Sequence, residues 1–267
     1  VYRYKSQEPA RQRAEQYTSL MKSQQIKIAT WNLNRPTLST QPRNDSILII
    51  LRKIDADILI LTETNSCIDL SDTYQTYFST TCLFQSLALG KEFYKEGENR
   101  VTVWSKFRGQ RRIDMCNSHS SVCASLETDW GALNVYGTVI GIYGKNRGQY
   151  EPKLSKNDFE AAIQAQLTDW ERLADLENLC IAGDFNTELS SSGKHYVSAS
   201  DRGKINECFE KIRVQVPTRD IPNNVDHVAV SASFLKDIYP TWQTWNETRN
   251  KSLLSDHMGV SITLQRP

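Results

Sequence analysis

Apolar and polar residues change rhythm several times along the chain, and each change marks an element. Gln25 to Trp31 alternates with period two, as a strand with one buried face does, and stops at the loop sequence Asn32-Leu33-Asn34-Arg35-Pro36. Ser46 to Ile54 repeats at helical spacing, with Asp45 as the expected N-cap. Asp55-Ala56-Asp57 then turns the chain into Ile58-Leu59-Ile60-Leu61, a short apolar run that suits a strand covered on both faces and ends at Thr62-Glu63-Thr64-Asn65. Strand, helix, strand is a β-α-β opening. Residues 82–143 alternate again. Strands are predicted at Cys82–Leu89, Arg100–Ser105, Ser121–Glu127 and Ala132–Tyr143, with Gly90, Gly97, Gly109 and Gly131 in the gaps. Asp158 to Leu176 carries a helical stripe (Phe159, Ile163, Leu167, Trp170, Leu173) and leads into the apolar strand Leu179–Asp184. A short helix at Lys204–Ile212 and closing strands at Val225–Val230 and Met258–Leu264 complete an α/β chain, with Trp242 and Trp245 framing a turn and expected to pack.

Ala10, Ala14, Tyr17 and Met21 put one apolar stripe on an otherwise polar N-terminal segment. Residues 1–25 are therefore read as a helical extension or linker toward an upstream domain or partner. With no internal repeat or low-complexity tract, 26–267 forms one domain.

Composition narrows the class. Hydrophobic residues make up 39% of the 267 and charged ones 24%, enough for a sizeable core in a globular protein. The formal net charge of +1 supplies no global basic field, so a nucleic-acid partner must be met by a local patch. Lys91 to Arg112 is such a patch, with seven basic and three acidic side chains. The longest apolar run, Ile47–Leu51, is far too short to span a bilayer. No signal-peptide pattern opens the chain, so a cytoplasmic setting is expected, with a trimmed targeting segment left open because the first residue is Val. The six cysteines show no metal-site spacing and are expected to be reduced core thiols.

The chemistry collects where strands end. Asn32, Glu63, Tyr143, Asp184 with Asn186, and Asp226-His227 all lie at strand ends, and Ser255-Asp256-His257 precedes the last strand. Residues delivered by the same ends of several strands form one site. Glu63, Asp256 and Asn32 are an oxygen-rich set suited to a hard cation, Mg2+ or Mn2+. Asp184 is then left to act as base toward a water that Asn186 orients. His257 can carry positive charge to a phosphate, with Asp226 as the carboxylate that fixes its tautomer. Taken singly, Gly183-Asp184-Phe185-Asn186 is also an ordinary Asx turn. His119 and His195 have no motif around them and are expected on surface loops.

Trp31-Asn32, Leu61-Thr62-Glu63-Thr64, Ile142-Tyr143, Gly183-Asp184-Phe185-Asn186, Val225-Asp226-His227 and Ser255-Asp256-His257, in this order, resemble the endonuclease/exonuclease/phosphatase superfamily, the DNase I-like fold, over residues 26–265. The resemblance implies a four-layer α/β sandwich: two mostly antiparallel sheets face to face, helices outside, and the site at one end. It also implies a role for each residue. Glu63 is the principal metal ligand, with Asn32 and Asp256 close by. Asp184 activates water, Asn186 positions it, and His257 oriented by Asp226 stabilises phosphoryl charge. Tyr143 contacts the phosphate or leaving group, and Asn146 the phosphate. Phosphodiester hydrolysis is expected, DNA being the first substrate. RNA, a lipid headgroup or an inositol phosphate are alternatives, and a catalytically dead nucleic-acid-binding module is a third reading. Thr62 stands where many relatives have Gln, and His227 where many have Tyr. Only 42 positions separate Asp184 from Asp226, so the loops that abasic-site enzymes drive into DNA are expected to be short.

Overall fold

β1 (Gln25–Asn32) keeps the predicted alternation but is buried on both faces. Ile26 and Ile28 enter one core, and Ala29 and Trp31 a second core on the opposite side. A strand covered on both faces needs a layer above and below it. The computed structural model describes residues 25–80, 95–141, 156–176, 178–190, 197–249 and 252–266. Tyr143, Asn146, His195, the Cys82–Leu89 strand and the N-terminal helical segment lie outside the described residues.

The elements that follow are α1 (Gln41–Ile54), β2 (Ile58–Asn65), β3 (Thr76–Ser79), β4 (Glu98–Ser105), β5 (Arg108–Ile113), β6 (Ser121–Thr128) and β7 (Gly131–Val139). Then come α2 (Lys156–Ala174), β8 (Leu179–Asp184), α3 (Ala199–Lys211), β9 (Val214–Gln215), β10 (Asp226–Ser231) and β11 (Thr241–Trp245). The hairpin of β12 (Thr248–Arg249) and β13 (Ser252–Leu253) precedes β14 (Gly259–Gln265). One sheet has the order β11-β14-β1-β2-β4-β3, the other β5-β6-β7-β8-β10-β9. Each contains one parallel pair, β1–β2 and β7–β8, and is otherwise antiparallel. Each parallel pair has a helix, α1 or α2, in the connection between its strands.

Three apolar clusters match the three interfaces of a four-layer sandwich. Ile26, Ile28, Ile58, Ile60, Val101 and Val103 of the first sheet meet Val122, Ala124, Val135, Cys180, Ala182 and Val228 of the second. Ile47 and Leu51 of α1 cover Ala29, Trp31, Leu59 and Leu61 on the outer face of the first sheet. Phe159, Ile163, Trp170, Ile205 and Phe209 from α2 and α3 cover Tyr136, Ile181 and Phe185 on the second.

Several sequence expectations shift. α1 begins at Gln41, with Pro42 in its first turn, where the fixed φ of proline suits a helix start; Asp45 lies inside the helix and accepts a hydrogen bond from Gln41 Nε2 at 2.8 Å instead of capping it. α3 begins at Ala199, and its N-cap Ser198 Oγ accepts the Asp201 amide at 3.1 Å. Among the described residues, the strand expected to run to Tyr143 stops at Val139, where the Ile140 amide turns to donate to the Asp184 carbonyl at 2.8 Å. Gly109, placed in a gap, sits within β5 beside a register shift. Trp242 and Trp245 lie on edge strand β11 rather than in a turn: Trp245 packs edge-on against Trp31 with centroids 6.0 Å apart, while Trp242 stays 49% exposed. The five described cysteines are free thiols; Cys123, Cys180 and Cys208 are core residues, but Cys116 is exposed. No helix among the described residues is long and apolar enough to cross a membrane.

Candidate active site

The topology brings the polar strand ends to one edge of the sandwich. β1 and β2 run parallel, so Asn32 and Glu63 emerge side by side, with Asn32 in register with Thr62. β10 runs antiparallel to β8, which sets Asp226 opposite Asp184. β14 begins at this end of β1 (Thr30 pairs with Val260), so His257 in the loop before it arrives there too. That loop is tied down: Ser255 Oγ donates to the Asn32 carbonyl at 2.6 Å, the His257 amide donates to Ser255 Oγ at 3.1 Å, and Trp31 Nε1 donates to the His257 carbonyl at 3.2 Å.

Asp184 is reached only because residue 183 is glycine. Gly183 has φ +140°, and a Cβ there would stand 1.9 Å from the Thr138 carbonyl oxygen of β7. After Asp184 the chain makes the Asx turn its sequence allows, with the Asn186 amide donating to Asp184 Oδ1 at 2.8 Å. Turn and site are one object. Asn186 takes a left-handed φ of 51°, which sends Nδ2 to the Ile140 carbonyl at 2.8 Å and to Asp184 Oδ2 at 3.1 Å. Asn32 Nδ2 donates to the same carboxylate oxygen at 3.0 Å, joining the two sheets, and Asn32 Oδ1 accepts the Asn34 amide at 2.8 Å.

His257 Nδ1 lies 2.6 Å from Asp226 Oδ2. Burial alone would lower the pKa of this imidazole, but the Asp226 and Asp184 carboxylates outweigh it and hold it near 10, so the ring is cationic at neutral pH. Asp184 is the reverse case: burial raises its pKa to about 6, the His257 charge opposing and Asp226 reinforcing. Asp226 is likewise raised by burial against the pull of His257. Glu63 is raised by burial, with Arg100 as the main opposing charge. It also holds a left-handed φ of 43°, unusual for a glutamate and the kind of backbone outlier that clusters at functional sites.

Side-chain ligand atoms of Asp184, Asp226 and His257 all lie within 4.8 Å of one another. Glu63 and Asn32 adjoin this group, giving two buried carboxylates and a half-buried one against one imidazolium and Arg100. Asp226 Oδ1 is buried with no hydrogen-bond partner among the described residues. An excess of desolvated carboxylate oxygen with an orphaned acceptor fits a hard divalent cation, and the all-oxygen set of Glu63 and Asn32 would hold one without disturbing the His257–Asp226 bond. Asp256 is placed differently: it is exposed, beside His257, and its charge acts on His257 and Arg43.

The chain's motifs give no hint of the support behind these groups. Arg100 sits on β4 between the residues paired with Thr62 and Thr64. The only sequence cue to it was its membership of the basic segment. Asn224 Oδ1 accepts the Asp226 amide at 3.2 Å. His227 is wholly buried; Nε2 donates to the Thr187 carbonyl at 3.1 Å, Nδ1 meets Thr218 Oγ1 at 3.2 Å, and burial lowers its pKa to about 4. It is a neutral strut between β10 and the loop after β8.

Similar architecture recurs in solved structures. An AP endonuclease from Leishmania major superposes with a TM-score of 0.63 at 14% identity, covering 92% of this chain and 89% of that one. A humanized TDP2 from D. rerio gives 0.61 at 11%, covering 91% and 99%. A 3′ phosphatase from Neisseria, bound to product DNA hairpin, gives 0.61 at 13%, covering 90% and 100%. At such identities the likeness speaks for the fold, which is DNase I-like. Comparison with curated proteins gives no match. The sequence itself matches a family profile from residue 29 to residue 257, from the middle of β1 to the histidine before β14, and the chain belongs to the Endonuclease/Exonuclease/phosphatase family.

Proposed function

We propose that this chain is a divalent-metal-dependent phosphodiester hydrolase that cleaves DNA by in-line attack of water. One observation carries the reading: a buried Asp184 whose pKa lies near 6, within 4.8 Å of a His257 held cationic by Asp226. Two titratable groups driven apart in this way define a base and a positively charged partner that coexist across neutral pH. Asp184 accepts the proton of the attacking water, and Asn186 and Asn32 fix the carboxylate's orientation through their amides. His257 meets charge building on a phosphoryl oxygen, while Asp226 and Ser255 hold its ring and backbone in place. Glu63 and Asn32, with Asp256 nearby, would hold a divalent cation, which when bound would supply further positive charge at the phosphate. For Tyr143 and Asn146, which lie outside the described residues, the roles are those the family resemblance implies: Tyr143 toward the phosphate or the leaving group, Asn146 toward the phosphate. DNA is favoured over other phosphoesters because two relatives of the same architecture are an AP endonuclease and a phosphatase bound to a DNA product.

Cleavage of plasmid and oligonucleotide DNA in Mg2+ or Mn2+, beside RNA and phosphoinositide substrates, tests the proposal. DNA should be cut, and chelator should abolish cutting. Asp184→Asn should fold normally and lose about two to four orders of magnitude in turnover. Binding of DNA without cleavage in either metal would overturn the reading in favour of a binding module.

A further inference from the structure

Glu63 does not hold its backbone conformation by itself. Its left-handed φ of 43° falls within a strand whose pairing with β4 is in register on either side, Thr62 with Val101 and Thr64 with Asn99. The constraint comes from the loop after β1. Asn34 and Arg35 are also left-handed, with φ of 48° and 51°, and this double turn brings the Arg35 amide to the Glu63 carbonyl at 2.8 Å. Two residues earlier, the Leu33 amide donates to the Thr62 carbonyl at 2.9 Å. The Glu63 peptide is therefore held by the chain that follows Asn32.

That loop is anchored in turn by a buried ion pair. Arg35 Nε donates to Glu98 Oε1 at 2.7 Å and Nη2 to Glu98 Oε2 at 2.9 Å, a two-pronged contact with side chains only 15% and 5% exposed. Glu98 is itself fixed, since Oε2 also accepts the Lys95 amide at 2.9 Å and its backbone pairs with Asn65 of β2. The contact thus spans from the β1 loop to β4, across the strand that carries Glu63. A bidentate guanidinium–carboxylate pair fixes both distance and plane, which a lysine cannot do.

We propose that Arg35 and Glu98 are positioning residues that hold Glu63 in its left-handed conformation and so aim its carboxylate at a divalent cation. This rests on the reading of Glu63 as the principal metal ligand. Outer residues that orient a ligand commonly govern affinity by ten- to a hundredfold, whereas a merely structural pair would change thermal stability and leave affinity alone.

The test is Mn2+ binding, followed by paramagnetic resonance of the free ion, on wild type, Glu98→Gln, Arg35→Lys and Glu63→Gln, each checked for fold by near-ultraviolet circular dichroism. Glu98→Gln should weaken Mn2+ binding about tenfold or more, and DNA cleavage should recover at saturating Mn2+. Should Glu98→Gln fail to fold, the milder Arg35→Lys decides, with the same direction expected. Unchanged affinity in a folded Glu98→Gln or Arg35→Lys, while Glu63→Gln loses binding, would overturn the positioning role and leave the metal site standing. Unchanged affinity in Glu63→Gln would overturn both.

Discussion

At the scale of single residues, the candidate site sets neighbours at odds about protons. Asp184 and Asp226 are both buried carboxylates, yet only Asp226 has an imidazole ring 2.6 Å away. The consequence is a window. In the proposed mechanism Asp184 must be ionised to act as base, so activity should rise with pH through about 6, and His257 must be protonated to stabilise charge, so activity should fall as pH rises through about 10. Asp226→Asn keeps the shape but removes the charge that favours the imidazolium. The His257 pKa then drops, and the alkaline limb of kcat/KM on DNA should move down by at least about one to two pH units, while the acidic limb, set by Asp184, persists. An alkaline limb that stays put would show that His257 is not the group being titrated. Asp184, Asn186, Asp226 and His257 were legible in sequence because they stand at or just beyond the ends of apolar strands, in short motifs that follow the family's order. The Glu63 conformation and Arg100 were not, because both depend on strand pairing that residues distant in sequence supply.

At the scale of elements, glycines show how closely β7 and β8 are fitted. Gly183 faces the Thr138 carbonyl at a distance no Cβ can share, whereas Gly203, inside α3, has open space around its missing Cβ. The same substitution should therefore have opposite signs. Gly183→Ala must part the β7–β8 pair and should destabilise by more than about 2 kcal/mol. Gly203→Ala should stabilise by up to about 1 kcal/mol, as the helix gains a better former. Urea unfolding of the two variants beside wild type checks both; equal losses would mean that the close approach at Gly183 is not the cause. Sequence pattern found β1, β2, β4, β6, β7, β8, β10 and β14 because these inner strands need apolar residues on one or both faces. It missed β3, β5, β9 and β11, which lie at sheet edges, and the two-residue strands β12 and β13. An edge strand such as Arg-Gly-Gln-Arg-Arg-Ile carries solvated charges that discourage further pairing, and the period is lost with them. The start of α1 was hidden for a different reason: its first turn, Gln-Pro-Arg-Asn, is polar throughout, and the apolar stripe begins only a turn later.

For the whole molecule, the site is a local cost that the three cores offset. Three carboxylates with pKa values raised by burial mean that the folded state binds protons more tightly than the unfolded chain does. For Asp184 the folded value is about 6 against an ordinary 3.8. Its contribution to stability is thus fully present below pH 3.8 and is lost as pH rises through 6, opposite in sign to a carboxylate in a good salt bridge. At neutral pH the ionised cluster should weaken the fold, and a divalent cation should relieve exactly this repulsion, competing with protons for the same oxygens. Calorimetry in Mn2+ or Mg2+ and in chelator, at pH 7.5 and pH 4.5, checks the argument. Metal at about a hundred times its dissociation constant stabilises by about 2.7 kcal/mol, which for a chain of this size raises Tm by roughly 5 to 10 °C. The rise should be present at pH 7.5, much smaller at pH 4.5, where Asp184 keeps its proton and protons compete for the other carboxylates, and absent at both in Glu63→Gln. A Tm that ignores metal at pH 7.5 would mean that the carboxylate excess is balanced within the protein, and the assignment of a cation to this end of the sandwich would fall.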